Sequence, residues 1–222
     1  MNILHPPEAS SDINQILFEQ IAIRLEEQGY AVLPAALPAD LSEQLLQVLA
    51  HQNETDFHDA NIGRGLNQTL NPFVRRDRIL WIEPQMPLAK AWLDWTEQLR
   101  CYLNRRLFMG LFSFESHFAC YQPGDFYKKH LDAFKGQSNR VLSVVTYLNR
   151  GWEPAQGGEL VLYSEDNHEQ PLTKVLPAFG TLVIFLSEQF PHEVLTASRE
   201  RFSVAGWYRI NGTRMDNLDP PR

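Results

Sequence analysis

Beyond Gly110 the sequence changes texture, and this second half most constrains the fold. Short β-rich or alternating runs follow one another: Leu111 to Tyr121, Tyr127 to Asp132, Val141 to Leu148, Glu159 to Tyr163, a piece near Lys174, Thr181 to Leu186, His192 to Thr196 and Arg201 to Arg209, separated by Gly, Pro and polar turns. Parallel neighbours need a crossover connection of a dozen or more residues, which such turns cannot supply, so these strands must pair antiparallel. Helices first and antiparallel strands afterwards predict an α+β, mainly β chain: a double-stranded β-helix (jelly roll, cupin-like) barrel buttressed by N-terminal helices.

In the first half, Asp12 and Gln15 stand at capping-box spacing, and Ile13, Ile16, Leu17, Ile21 and Leu25 recur at helical spacing until Gly29 ends the run. A short strand from Tyr30 to Leu33 follows. Leu41, Leu45, Leu46 and Leu49 mark a second helix, and Leu88, Trp92, Trp95, Leu99 and Leu103 a third whose aromatics read as core. Arg78 to Ile82 reads as a strand. Between His51 and Arg76 the chain is polar and without period, as expected of a lid-like loop. No repeat or linker interrupts the sequence, so we expect one domain over 1–222, with a helical and lid region at about 11–110, the jelly roll at about 111–209, and a loose tail from Asn211.

Composition excludes several classes. The chain has 222 residues, 44% hydrophobic and 21% charged, and no run approaches the roughly 20 apolar residues of a membrane helix. Met1 to Ser10 carries no basic residue and no apolar stretch, so a cytoplasmic location is expected, where Cys101 and Cys120 would remain thiols. A net charge of −7 argues against a general nucleic-acid surface; Arg75, Arg76 and Arg78 form either a local basic patch or a solvated strand end.

The residues that carry chemistry lie in the β half. On a strand, positions two apart share a face, so His130 and Asp132 can address one point, and His192 can supply a second imidazole. Two imidazoles and a carboxylate on one side of an ion suit non-haem Fe(II) and leave coordination positions open. Arg201, Ser203, Ala205 and Trp207 share one face of the last strand. If that face is inward, Arg201 is a buried cation, matched by a ligand carboxylate or by an internal ion pair. The same ligand set could serve a Zn²⁺ hydrolase, a non-catalytic sensor or a small-molecule hydroxylase.

The runs Ala-Cys-Tyr-Gln-Pro-Gly-Asp-Phe-Tyr-Lys-Lys-His-Leu-Asp (119–132), Arg-Val-Leu-Ser-Val-Val-Thr-Tyr-Leu-Asn (140–149), Gly-Gly-Glu-Leu (157–160), Pro-His-Glu-Val (191–194) and Arg-Phe-Ser-Val-Ala-Gly-Trp-Tyr (201–208), with Arg-Arg-Asp-Arg-Ile-Leu-Trp-Ile-Glu (75–83), resemble the 2-oxoglutarate-dependent prolyl 4-hydroxylases. The likeness is greatest to the oxygen-sensing branch that modifies hypoxia-inducible factor in animals and to its bacterial relatives. It implies Fe(II) on His130, Asp132 and His192, and O2 and 2-oxoglutarate as co-substrates, with ascorbate as reductant. Arg201 would pair with the C5 carboxylate of 2-oxoglutarate and Tyr147 would hydrogen-bond it. Tyr121, Tyr127 and Ser203 would line that pocket, and Trp207 would lie near iron and substrate. Arg140, Arg75 and Arg76 would flank the substrate entrance, and the 51–76 loop would close over a target proline, as in translation elongation factor Tu. His117 falls where the animal enzymes carry a methionine.

Overall fold

The computed structural model describes residues 9–60, 71–133 and 139–212. Its elements in order are α1 (Ala9–Gln28), β1 (Tyr30–Leu33), α2 (Ala39–Ala50), a 3-10 turn (Glu54–Asp56), β2 (His58–Asp59), β3 (Arg78–Trp81), α3 (Lys90–Leu107), β4 (Ser113–Tyr121), β5 (Tyr127–His130), β6 (Arg140–Tyr147), a second 3-10 turn (Pro154–Gln156), β7 (Leu160–Tyr163), β8 (Pro171–Val175), β9 (Leu182–Leu186), β10 (His192–Val194) and β11 (Arg201–Arg209). Two antiparallel sheets result, one in the order β1-β9-β6-β11-β4-β3-β2 and one in the order β5-β10-β7-β8. Facing each other, they make the double-stranded β-helix expected from the spacing of the strands.

The seven-stranded sheet is apolar on both faces, and its period of two separates two cores. Leu142, Val144, Phe118, Val204 and Tyr208 point outward to the helices, where Leu17, Ile21, Leu45, Trp92, Leu99 and Leu103 cover them. Tyr121, Tyr147, Val183 and Phe185 point inward to Leu160, Leu162 and Val194 of the smaller sheet. Two buried donors fasten α3 to the sheet: Trp92 Nε1 to Ser116 Oγ at 3.0 Å, and Tyr208 Oη to the Thr96 carbonyl at 2.7 Å. The tryptophans of α3 are therefore core.

Turns follow from local chemistry. Gly29 adopts φ 76° and its N–H returns to the Leu25 carbonyl at 3.0 Å, so α1 ends and β1 begins at once. No glycine ends α3. Phe108 takes the left-handed position, and the Asn104 side chain bonds both the N–H and the carbonyl of Leu111, at 2.7 and 2.8 Å, to redirect the chain into β4.

The structure corrects several expectations. α1 starts at Ala9, so Asp12 lies inside the first turns instead of capping them. The buried stripe is Leu17, Phe18, Ile21, Ala22 and Leu25, while Ile13 and Ile16 are each 62% exposed. Leu88 adopts φ 64°, incompatible with a right-handed helix, and α3 begins at Lys90. The 51–76 stretch includes the 3-10 turn and β2, which pairs with β3; 61–70 lies outside the described residues, as does the tail from 213, so the lid and tail expectations fall mostly there. Arg75, Arg76 and Arg78 form no common patch: Arg75 pairs with Asp77, Arg78 bonds the carbonyls of Glu54 and Phe57, and Arg76 alone is exposed.

Gly206 at the centre of β11 is required by space. A Cβ there would meet Phe114 Cζ at 2.5 Å, the Glu115 carbonyl oxygen at 2.8 Å and Ser116 Cβ at 2.8 Å. Gly206→Ala is expected to destabilise the fold by about 1–3 kcal/mol, the usual cost of overpacking, measured as a fall in the urea midpoint. Phe114→Leu should not rescue it, because the backbone oxygen remains in the way.

Candidate active site

Two β-bulges assemble the site. His192 of β10 lies directly across from His130 of β5, yet Val194 lies across from Tyr127, so β5 carries one residue more than its partner over this interval. The extra residue turns Tyr127 and His130, three apart, to one side, where their rings stack at 3.6 Å and 15°. At the start of β6 the pairs Leu142 with Tyr208 and Arg140 with Arg209 mark a second bulge. It lets Val141 pack on the helical side while Arg140 turns inward, laying its guanidinium on Trp207 at 3.6 Å from the ring centroid.

Asp132 is not on the strand. β5 ends at His130 and the chain bends, so the same-face argument for His130 and Asp132 does not apply. Asp132 reaches His130 because the chain folds back toward β6, where Ser143 Oγ donates to its Oδ2 at 2.6 Å. The three residues converge nonetheless. Asp132 Oδ1 is 3.6 Å from His130 Nε2 and Oδ2 is 3.6 Å from His192 Nε2, and the candidate ligand atoms lie within 4.8 Å of one another. At 3.6 Å neither contact is a hydrogen bond. The Nδ1 atoms face carbonyl oxygens, of Lys128 at 2.8 Å and Phe190 at 3.1 Å. Because a carbonyl only accepts, each Nδ1 carries the proton and each Nε2 lone pair is free to ligate.

Electrostatics agree. Burial, together with nearby His130, lowers the His192 pKa to about 4. Burial alone would raise that of Asp132, but His192 and His130 outweigh it and hold the carboxyl well below its usual range. At neutral pH His192 and Asp132 are therefore deprotonated, as metal ligation demands. Two imidazoles and one carboxylate gathered on one side match the donor set of a non-haem Fe(II) centre.

Arg201 is 1% exposed at the start of β11. Its Nε donates to the Gly158 carbonyl at 2.9 Å and its Nη1 to Ser203 Oγ at 3.2 Å, and the faces of Tyr121 and Tyr147 flank its guanidinium at 4.8 and 5.1 Å. Among the described residues no carboxylate lies within ion-pair distance of it, so the internal salt bridge left open by the sequence is not found there. The Tyr147 hydroxyl, on a fully buried side chain, has no hydrogen-bond partner among the described residues, and the same holds for Trp207 Nε1. Burial pushes the Tyr147 phenol up to about 12, so it stays a neutral donor. A buried fork and a buried hydroxyl with no anion to serve are a built receptor for a carboxylate.

The remaining candidates are placed as follows. Arg75 forms a two-bond pair with buried Asp77, at 2.6 and 2.7 Å, and lies over the Tyr127 ring at 4.5 Å. Arg76 bonds the Pro72 carbonyl at 2.9 Å. Arg140 is paired with Glu115, at 3.0 and 2.7 Å, so its charge is already matched. Sequence reasoning missed Asp77, Glu115, Ser143, Ser187 and Gly158. Only the Gly-Gly pair left a signal: Gly158 has φ +74°, and a Cβ there would press on Ala197 Cβ at 2.9 Å and on Arg201 Cδ at 3.3 Å.

His117, inward on β4 and 2% exposed, packs on Trp81 and Trp207. Burial and the Arg75 charge lower its pKa from 6.5 to about 4. A lowered folded value favours the neutral ring, so this contribution to stability is complete above pH 6.5 and is lost as pH falls toward 4, with a slope of at most about 1.4 kcal/mol per pH unit. The metal-free protein should lose stability between pH 6.5 and 4 more steeply as wild type than as His117→Met, read from urea midpoints at matched pH.

The family model of the 2OG-Fe(II) oxygenase superfamily matches residues 116–209. A crystal structure of a Pseudomonas putida prolyl-4-hydroxylase superposes with a TM-score of 0.77 at 38% sequence identity, covering 88% of this chain and 100% of that chain. A Trichoplax adhaerens prolyl hydroxylase, in complex with a hypoxia inducible factor oxygen degradation domain peptide fragment, superposes with a TM-score of 0.79 at 26% identity, covering 92% of this chain and 94% of that chain. Human Egl nine homolog 1 is 28% identical over 87% of this chain and 47% of its own length. The chain spans 34 to 59% of the length of the curated relatives that match most of it. Resting on the likeness to a whole bacterial prolyl-4-hydroxylase and on the converging His130, Asp132 and His192, the assignment is that the chain belongs to the prolyl 4-hydroxylase family of 2OG-Fe(II) oxygenases.

Proposed function

We propose that the chain works as a single dioxygenase domain over 1–222 that hydroxylates a prolyl residue in a protein substrate. The observation that carries this reading is the receptor of Arg201 and Tyr147 in the same inter-sheet core as the ligand triad: Tyr121, Tyr147 and Phe185 pack in one cluster, and Phe185 touches the His192 ring at 4.8 Å. A hydrolase with the same ligands would have no use for a second, carboxylate-shaped site beside its metal.

In this reading His130 Nε2, Asp132 and His192 Nε2 hold Fe(II). When bound, Fe(II) would let O2 act as the oxidant, so that 2-oxoglutarate would lose CO2 and take one oxygen atom to become succinate, and the other oxygen atom would enter a C–H bond of the target. The chain's own residues orient and enclose. The Arg201 fork and the Tyr147 hydroxyl hold the far carboxylate of 2-oxoglutarate, Ser203 fixes the guanidinium, and the rings of Tyr121, Tyr147 and Tyr127 exclude water from that pocket. Trp207 offers one further buried N–H. Arg140, Arg75 and Arg76 frame the entrance, where the target chain arrives.

The Trichoplax relative bound to a peptide supports a protein substrate, and a proline of translation elongation factor Tu is the first candidate to test. Cys101 and Cys120 are both free thiols. No helix among the described residues is long and apolar enough to cross a membrane.

The test is anaerobic loading with Fe(II) and 2-oxoglutarate, then exposure to air with elongation factor Tu or a cell extract, following succinate and a mass gain of one oxygen atom on proline. Substrate-dependent succinate is expected from wild type and none from His192→Ala; equal succinate from both would overturn the reading. Arg201→Ala should raise KM for 2-oxoglutarate by about 30-fold or more with Fe(II) binding kept, since losing one member of a buried charge pair costs at least ~2 kcal/mol. Tyr147→Phe discriminates function from packing. It should weaken 2-oxoglutarate binding while leaving the thermal midpoint of the metal-free protein equal or higher, because it deletes a buried hydroxyl that has no partner there.

A further inference from the structure

Among the described residues, Asp132 is the ligand with the least backbone support. His192 is paired on both sides, with β5 and with β7, and His130 has both its ladder partner and the Tyr127 stack. Asp132 stands past the end of β5, and among the described residues the hydrogen bond that holds it comes from a side chain, Ser143 Oγ. That support continues beyond Ser143: Ser187 Oγ lies 2.9 Å from Ser143 Oγ, and the two serines are 0% and 1% exposed. The direction of the relay is fixed by chemistry. A ligating carboxylate is ionised and only accepts, and the one Ser143 proton goes to Asp132 Oδ2. Ser143 therefore accepts from Ser187, and the order is Ser187 to Ser143 to Asp132.

Ser187 opens the turn that leads to His192. In that turn the N–H groups of Gln189 and Phe190 both point to the Leu186 carbonyl, at 3.2 and 3.4 Å, and Ser187 N–H bonds the Val141 carbonyl at 2.9 Å. Three residues on, the Phe190 carbonyl receives His192 Nδ1–H. The turn is braced from outside: Leu186 N–H bonds the Gly29 carbonyl at 3.0 Å, and a Cβ on Gly29 would meet Phe190 Cε2 at 2.9 Å. We propose that the turn between β9 and β10 is a positioning element for two of the three ligands at once, orienting His192 through the Phe190 carbonyl and Asp132 through the Ser187–Ser143 hydroxyl relay. This rests on the reading that the triad binds Fe(II). Ser143 and Ser187 are positioning residues, since they act through Asp132.

The test reads metal affinity, not turnover: anaerobic Fe(II) titration of the metal-free protein against a chromogenic chelator, with the thermal midpoint of each variant measured alongside. Removing hydrogen-bond partners behind metal ligands typically costs 10–100-fold in affinity, so Ser143→Ala should weaken Fe(II) binding by about that factor, and Ser143→Thr, which keeps the hydroxyl, should recover most of it. Ser187→Ala should show a smaller loss. The double variant should be no weaker than Ser143→Ala alone, because Ser187 acts on Asp132 only through Ser143. Unchanged affinity in Ser143→Ala, or losses that add in the double variant, overturns the relay. If Ser143→Ala does not fold, Ser187→Ala carries the test, and wild-type affinity in that variant overturns it. Wild-type protein that binds no Fe(II) overturns the metal reading and the relay with it.

Discussion

A guanidinium removed from water and met, among the described residues, by neutral groups is the constraint around which the inner face of this barrel is built. Burying an ion is costly unless the surroundings return most of its lost hydration. Arg201 recovers part of it from the Gly158 carbonyl, the Ser203 hydroxyl and the faces of two tyrosines. Each partner depends on something else. The carbonyl belongs to a glycine at φ +74°, where a Cβ would press on Arg201 Cδ at 3.3 Å, and the tyrosines are delivered by β4 and β6, which flank β11 on either side. What these contacts leave unmet is negative charge. A site so arranged is prepared for an anion before one arrives, which lowers the reorganisation needed on binding.

The period of two does most of the remaining work, and departures from it are placed where the chemistry is. Along β4, β6, β9 and β11 one face feeds the helical core and the other feeds the inter-sheet core. The bulges in β5 and at the start of β6 break this alternation, and they bring Tyr127 alongside His130 and Arg140 onto Trp207. Arg75 and Arg140 are matched within the fold, by Asp77 and Glu115, whereas fully buried Arg201 meets no carboxylate among the described residues.

Much of this was legible in the sequence, for local reasons. Eight β runs after Gly110, their turns and the shared face of Arg201, Ser203 and Trp207 all follow from alternation, which a linear chain displays directly, whereas which way that face points does not. His130, Asp132 and His192 were found by residue type and likeness, but the geometric reason first given for Asp132 was wrong, because strand periodicity cannot show where a strand ends. Bulges escaped notice too: an extra residue is defined only against a partner strand, and the partner of β5 lies some sixty residues away. Ser143, Ser187, Asp77 and Glu115 escaped for the same reason, since polar residues gain meaning from what they face. Ile13 and Ile16 continued a helical stripe past the end of the surface that could cover it.

The His130–His192 pair has a consequence for folding. The two imidazoles face each other across antiparallel strands that are far apart in sequence, and a slip of one residue would turn one of them to the opposite face of its sheet. The ligand set therefore exists only when the smaller sheet has closed in its native register. Such long-range pairings are among the slow steps of folding, since loop-closure entropy must be overcome before the contacts form. An ion held there would thus also act as a proofreader: it would add binding energy to the correctly zipped barrel and withhold it from every misaligned one.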